Sequence, residues 1–251
     1  SFPTRRSSDL CSIFLLGVFY LVINMVDISR KEWDAMTWRE QTVWLEINRV
    51  ARKGSISCRG LVKNVGVNDA SYSVSPRVGG TRVLCKAYDC WSGMLRRAYS
   101  SELHEKFPTY RGVKVCDEWL MFSAFRLWWL DNQVDGYELD KDLVGDGSVY
   151  SPQSCVFIPS KLNTFTIDHG ADRGEYPIGV SYNINHGKYW SSCSNPITGK
   201  RDFLGLFRNP DDAHYAWMRH KLALALELKS EMDAIDERIY IGVVRIVTDS
   251  V

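Results

Sequence analysis

The chain lacks a surplus of charge of either sign. Thirty-one Lys and Arg face 30 Asp and Glu, a net charge of +1 over 251 residues, so bulk electrostatics mark neither a nucleic-acid binder nor an acidic tail. Cysteine comes without pattern: the seven residues include no repeated C-x-x-C pair. An odd number in a chain of this length argues against a disulfide scaffold and for reduced thiols in a cytoplasmic setting. Cys85, Cys90, Cys116 and Cys155 fit no standard zinc knuckle, so buried structural thiols are expected and zinc is not. The apolar run over 11–24, CSIFLLGVFYLVIN, falls short of the ~20 residues a membrane span needs, and no small-residue cleavage site follows it. No membrane partner is expected. With 45% apolar and 24% charged residues, the composition excludes a disordered tail and a polytopic membrane protein, leaving one large or two ordinary domains.

Residues 1–24 are set apart. SFPTRRSSDL reads like a translated adapter oligonucleotide, and Met25 offers a natural start, so a non-native read-through segment is expected there; a short anchor over 11–24 is the alternative. Charge is unevenly spread over the remainder. Residues 52–80 carry +4, 81–130 carry +3, 131–175 carry −6 and 176–229 carry +3. An acidic centre between basic flanks suits a cation site beside a polyanion-binding surface, although loops of uneven charge would give the same sums.

Local pattern divides the chain further. Over 25–82, Thr37 and Glu40 make a capping-box pair before Val43, Trp44, Ile47 and Val50, which predicts a helix of about four turns ending at Gly54. Loops and short extended pieces are expected to follow. A second helix is predicted near Asp89, with Trp91, Met94, Leu95 and Ala98 on one face, and the aromatic run from Val115 to Leu130 has helical period. Its rings are read as core. Residues 139–166 predict strand, loop, strand and helix, and 168–177, with Gly170, Gly174 and Pro177, a linker. IGVSYNI, KYWSSCS and DFLGLF then predict three strands joined by turns at 185–187 and 195–199. A long helix is predicted from about Asp211. The tail over 230–251, containing IYIGVVRIV, is read as a possible added strand.

The segment 178–229 carries a resemblance. Gly179, Val180, Gly187, Lys188, Tyr189, Asn195, Pro196, Leu204, Gly205, Phe207, Ala213 and Ala216 resemble, in register, the AP2 integrase-type DNA-binding domain. The resemblance implies a three-stranded antiparallel sheet in the major groove of double-stranded DNA, with one helix packed behind it. The matching contact positions are Ser181, Asn183, Asn185, Ser192, Ser194, Arg201 and Phe203, with Lys188, Lys200, Arg201 and Arg208 as phosphate contacts. Several are Arg or Trp in plant members of the family and Ser or Asn here, so the resemblance carries over no base preference.

The segment 83–167 carries another. W-x-x-M-L-R-R-x-Y from Trp91, V-C-D-E-W-x-x-F from Val115, L-D-K-D from Leu139 and Y-S-P-x-x-C from Tyr150 resemble the nuclease region of phage-encoded HNH homing endonucleases, which have a ββα (His-Me finger) fold. That resemblance implies one divalent ion, Mg2+ or Mn2+, held by Asp140 at the end of a strand and Asn163 on the following helix. Lys141 stands where the family has its His base, and the family's middle Asn is absent. His169 is the least implausible substitute among the five histidines. Arg96, Arg97 and Lys161 would contact phosphates.

The expected class is therefore α+β, an HNH-like ββα region followed by an AP2 sheet. The expected function is a phage-type, metal-dependent DNA endonuclease positioned by that sheet and working in the host cytoplasm. The main alternative is a DNA-binding or regulatory protein that kept the fold and lost the base. A structural phage component using its aromatic surfaces for protein contacts is a third.

Overall fold

The computed structural model describes residues 27–166 and 175–250; the segment 1–24, His169 and most of the expected linker lie outside them. The chain divides into two compact units between Asp131 and Asn132, with α-helices and small antiparallel sheets among the described elements.

Paired caps start the first unit. Ser29 and Thr37 each stand three residues before a glutamate, and each side-chain oxygen accepts the glutamate's backbone N–H while the carboxylate accepts the cap's own. These reciprocal bonds satisfy helix N–H groups that have no partner within the helix. They start helices α1 (Arg30–Ala35) and α2 (Trp38–Asn48). The second is shorter than its sequence suggests. Val50 leaves it to bridge Tyr72, and a separate short helix α3 follows (Lys53–Ser57). A two-residue hairpin, β1 (Arg77–Val78) with β2 (Thr81–Arg82), precedes helix α4 (Lys86–Tyr99), which buries Trp91, Met94, Leu95 and Ala98 as its spacing predicts. Helix α5 (Ser101–Lys106) and strand β3 (Lys114–Val115) continue the chain. The aromatic run then splits into a 3-10 turn (Asp117–Leu120) and helix α6 (Phe122–Asn132). Its rings are core: Trp119 lies edge-on to Phe125 at 5.1 Å, and the Trp91 indole N–H donates to the Trp119 carbonyl at 2.7 Å.

In the second unit, strand β4 (Tyr137–Asp140) pairs antiparallel with β6 (Val156–Pro159) across a loop that includes β5 (Val149–Tyr150), and helix α7 (Ser160–Thr166) follows at once. Strands β7 (Val180–Asn183), β8 (Lys188–Asn195) and β9 (Lys200–Phe207) form an antiparallel sheet in that order. Helix α8 (Pro210–Glu227) is capped by Asn209, whose side chain accepts from the Asp212 N–H at 2.8 Å. It packs on one face of the sheet, where buried Ser191 donates to the Ala213 carbonyl at 2.6 Å. A Cβ on Gly179 would stand 2.1 Å from the Trp217 ring, and its φ of +81° is open mainly to glycine.

Two expectations are corrected here. The apolar tail is helical: α9 (Lys229–Ile235) and α10 (Arg238–Thr248) complete the unit. Ile239, Val243 and Val247 recur at four-residue spacing and are buried, a period that outweighs the strand preference of β-branched residues. Gly242 lets α10 approach closely, since a Cβ there would lie 1.7 Å from the Leu143 carbonyl oxygen. The hairpin and the sheet are also not separate modules on a linker. Leu143, Ile158, Leu162 and Phe165 from the first share one core with Cys193, Trp217 and Leu224 from the second and with Met232, Ile239 and Val243 from the tail. A boundary at 82/83 or 167/168 therefore gives way to one at 131/132.

Candidate functional site

Strand alternation sorts the sheet into two faces. Val180, Ser191 and Cys193 are buried on the helix side, where the His220 imidazole also meets the Asp202 carboxylate at 2.8 Å. The other face carries Ser181 opposite Trp190, Asn183 opposite Lys188, Ser192 opposite Phe203, and Ser194 opposite Arg201. Ser181, Asn183, Lys188, Ser192, Ser194, Arg201 and Phe203, all candidates from sequence, thus share one surface. Asn185 lies in the exposed β7–β8 turn. Lys200 pairs with Asn195, on the helix side of the alternation at the sheet's end.

The centre of this surface is aromatic. Trp190 and Phe203 contact each other at 4.5 Å between ring centroids, yet remain 38% and 55% exposed. Trp190 is the residue the sequence reading passed over, although it lies two positions from Ser192 on the same strand, the period that defines a face. A shift in register between Ser191 and Ser192 leaves an extra residue on β9, with Gly205 opposite Ser191 at a φ of +134°. Bulges of this kind increase local twist and re-aim side chains. Neither Lys188 nor Arg201 makes an ion pair with the described residues, so both charges face solvent unneutralised.

The hairpin is arranged differently. Asp140 does end the first strand and Asn163 does lie on the helix after the second, but they do not meet as a ligand pair. Asp140 is 6% exposed, and its Oδ1 accepts the backbone N–H groups of Asp142 at 3.0 Å and Leu143 at 2.8 Å. Burial outweighs these bonds and pushes its carboxyl up to about 6. Asn163 donates its amide instead to Glu138, two residues before Asp140 on the same strand face. Glu138 was missed in the sequence, where the period of two was its only signal.

Lys141 is buried and donates to the Asp142 carboxylate at 2.6 Å, with its ammonium 5.7 Å from the Tyr150 ring centroid. An ammonium so engaged has no lone pair with which to take a proton from water. No described histidine replaces it. His104 donates to the Arg97 carbonyl and His214 to that of Ile178, His220 faces Asp202, and His186 sits in the β7–β8 turn. Of the expected phosphate contacts, Arg96 and Arg97 belong to the first unit, while Lys161 is paired with Glu231 at 2.7 Å. As arranged, these residues do not fit a seat for Mg2+ or Mn2+: one oxygen of Asp140 is committed to backbone donors, and Asn163 serves Glu138. The described residues hold no cluster of three His, Cys, Asp or Glu suited to a metal ion. None of the described helices is long and apolar enough to cross a membrane.

Comparison with family models, curated proteins and solved structures gives no match for this chain.

Proposed function

We propose that this chain binds double-stranded DNA through the exposed face of β7–β9, and that the β4–β6–α7 hairpin is a non-catalytic brace for that sheet. The observation that carries this reading is the surface itself. Short polar side chains able to bond base edges alternate with exposed rings, and unpaired Lys188 and Arg201 stand beside them for phosphates. A sheet presented to the major groove requires this arrangement: contacts on one face and support from the other. The resemblance of 178–229 to AP2 domains supports the same face. Ser and Asn discriminate bases less sharply than bidentate Arg, so modest sequence preference is expected.

Phage-type homing endonuclease activity is the second reading. It is favoured by one observation: strand, loop, strand and helix follow in the HNH order, with Asp140 and Asn163 on the matching elements. The hydrogen bonds of Asp140, Lys141 and Asn163 weigh against it as they stand.

Two measurements on the full chain separate the readings. Fluorescence anisotropy with duplex DNA over a salt series should give a slope of log K against log salt of about −2 if Lys188 and Arg201 each neutralise a phosphate, and a steeper one if Lys200 and Arg208 also reach the backbone. Salt-insensitive or absent binding would sink the DNA reading and turn attention to a protein partner for Trp190 and Phe203. Supercoiled plasmid incubated with Mg2+ or Mn2+ should stay intact. Nicking that EDTA and Asp140→Ala both abolish would establish the nuclease instead.

A further inference from the structure

The second unit holds a cavity of about 530 Å³ between the α7 end of its core, α8 and α10, and Lys221 of α8 lines it. That lysine is 6% exposed, and its ammonium lies 3.8 Å from the Phe165 ring centroid and 5.8 Å from that of Trp217. It has no hydrogen-bond or ion-pair partner among the described residues. The contrast with its neighbours is sharp. Lys141, equally buried, donates to Asp142; Lys161 and Lys229 are paired with Glu231 and Asp233. With its stem buried and its ammonium on the cavity lining without a carboxylate partner, Lys221 gives up part of its hydration, which ring faces replace only in part.

We propose that Lys221 is the amine of a covalent carbonyl-binding site, and that the cavity takes a small, uncharged aromatic aldehyde as an imine on Lys221 Nζ. Three features of the cavity select that class. Its volume falls in the range of small-molecule sites. Phe165 and Trp217 give it flat apolar walls, and of its three lining carboxylates Asp142 is paired with Lys141 while Asp146 and Asp249 add negative charge that disfavours anionic compounds. Arg245, the lining cation besides Lys221, is already donating to the Asp142 carbonyl at 2.7 Å.

The step balances without an oxidant or a metal. The Nζ lone pair adds to the carbonyl carbon, and the carbonyl oxygen takes a proton to give a carbinolamine. Its hydroxyl then leaves as water, carrying the second proton lost from nitrogen, and the C=N bond forms. The amine must first be neutral. Burial holds the pKa of the Lys221 ammonium below its ordinary value, which raises the fraction present as the neutral amine. This site is independent of the DNA reading, because α8 packs on the face of the sheet opposite Trp190 and Phe203.

The test is reductive trapping on the full chain. Benzaldehyde and sodium cyanoborohydride at neutral pH would convert each imine to a stable benzylamine, read lysine by lysine by peptide mass spectrometry. Lys221 should be labelled faster than exposed Lys188 and Lys200, and its labelling should fall to that of the exposed lysines when the protein is unfolded in urea. Lys221→Arg and Lys221→Met, each checked by circular dichroism for retained fold, should lose the fast site and leave the slow ones. Labelling of Lys221 no faster than Lys188 in the folded chain, or a fast site that persists in both variants, would overturn the proposal.

Discussion

Within one compact unit, the β7–β9 sheet and the β4–β6–α7 hairpin treat their polar residues in opposite ways. The sheet leaves Ser181, Ser194, Lys188 and Arg201 exposed on a face with Trp190 and Phe203. The hairpin turns Asp140 and Lys141 inward and gives Asn163 to Glu138. Residue type and spacing raise the same kind of expectation for both segments, yet only the sheet leaves those residues exposed and unpaired. Spacing fixes which face a strand residue occupies; whether the side chain is free depends on neighbours that spacing does not specify.

The largest expected effect tests the sheet side of that contrast. Lys188→Glu with Arg201→Glu replaces two phosphate contacts by repulsion and should weaken duplex binding on the order of 10³-fold, about 4 kcal/mol. The salt slope should fall by about two, and the melting temperature should stay nearly constant because both side chains are exposed and unpaired. Anisotropy and thermal melts check this together. An unchanged affinity would remove the sheet as the reading surface.

The next largest effect probes the hairpin through pH. The Asp140 carboxyl is raised from 3.8 to about 6 in the folded chain, so folding favours its neutral form. The stabilising contribution of that neutral form is complete below the unfolded value near ~4, falls as pH rises through about 6, and is absent above. Asp140→Asn keeps an oxygen for the Asp142 and Leu143 N–H groups and removes the ionisation. At pH ~8 it should therefore be more stable than the parent by up to about 3 kcal/mol, with the difference closing toward pH ~4. Urea melts across pH measure it. If Mg2+ or Mn2+ stabilises the parent and not the variant, Asp140 holds metal, and the two regions resemble each other more than their hydrogen bonds indicate.

Much of this organisation is readable before any coordinates. Thr37 with Glu40, the Trp91–Met94–Leu95–Ala98 stripe, and three alternating strands separated by turn residues each rest on a period or a short-range bond, which sequence contains directly. What stayed hidden depends on contacts between distant segments. Ile239, Val243 and Val247 suit a strand by residue type and a helix by spacing, and packing against Leu143 and Ile158 decides between them. Glu138 is an ordinary strand carboxylate until α7 brings Asn163 beside it. Lys221 looks like a solvated helix residue until Phe165 and Trp217 enclose it.

A smaller effect separates affinity from stability on the sheet. Trp190→Ala or Phe203→Ala removes a ring that is already partly exposed on the sheet's open face. Losing either should cost roughly 1 kcal/mol of stability or less. Duplex affinity should fall about tenfold, since an aromatic contact to a base edge or sugar is worth about 1–2 kcal/mol. A loss of stability with unchanged affinity would mean that these rings serve the sheet and not its partner.

The smallest effect falls on the hairpin, where it decides what Asn163 is for. Its amide donates to a Glu138 carboxylate that is itself exposed, and an exposed bond of this kind contributes on the order of 0.5–1 kcal/mol. Asn163→Ala should lower stability by about that amount, and Glu138→Gln, which keeps an acceptor oxygen, by less. The double variant should cost little more than Asn163→Ala alone, because the shared bond can be lost only once. Duplex affinity should be unchanged in all three if the hairpin is only a brace. If Asn163→Ala leaves stability intact but abolishes metal-dependent nicking, then Asn163 acts on the reaction, and the bond to Glu138 is a resting arrangement that metal and substrate displace.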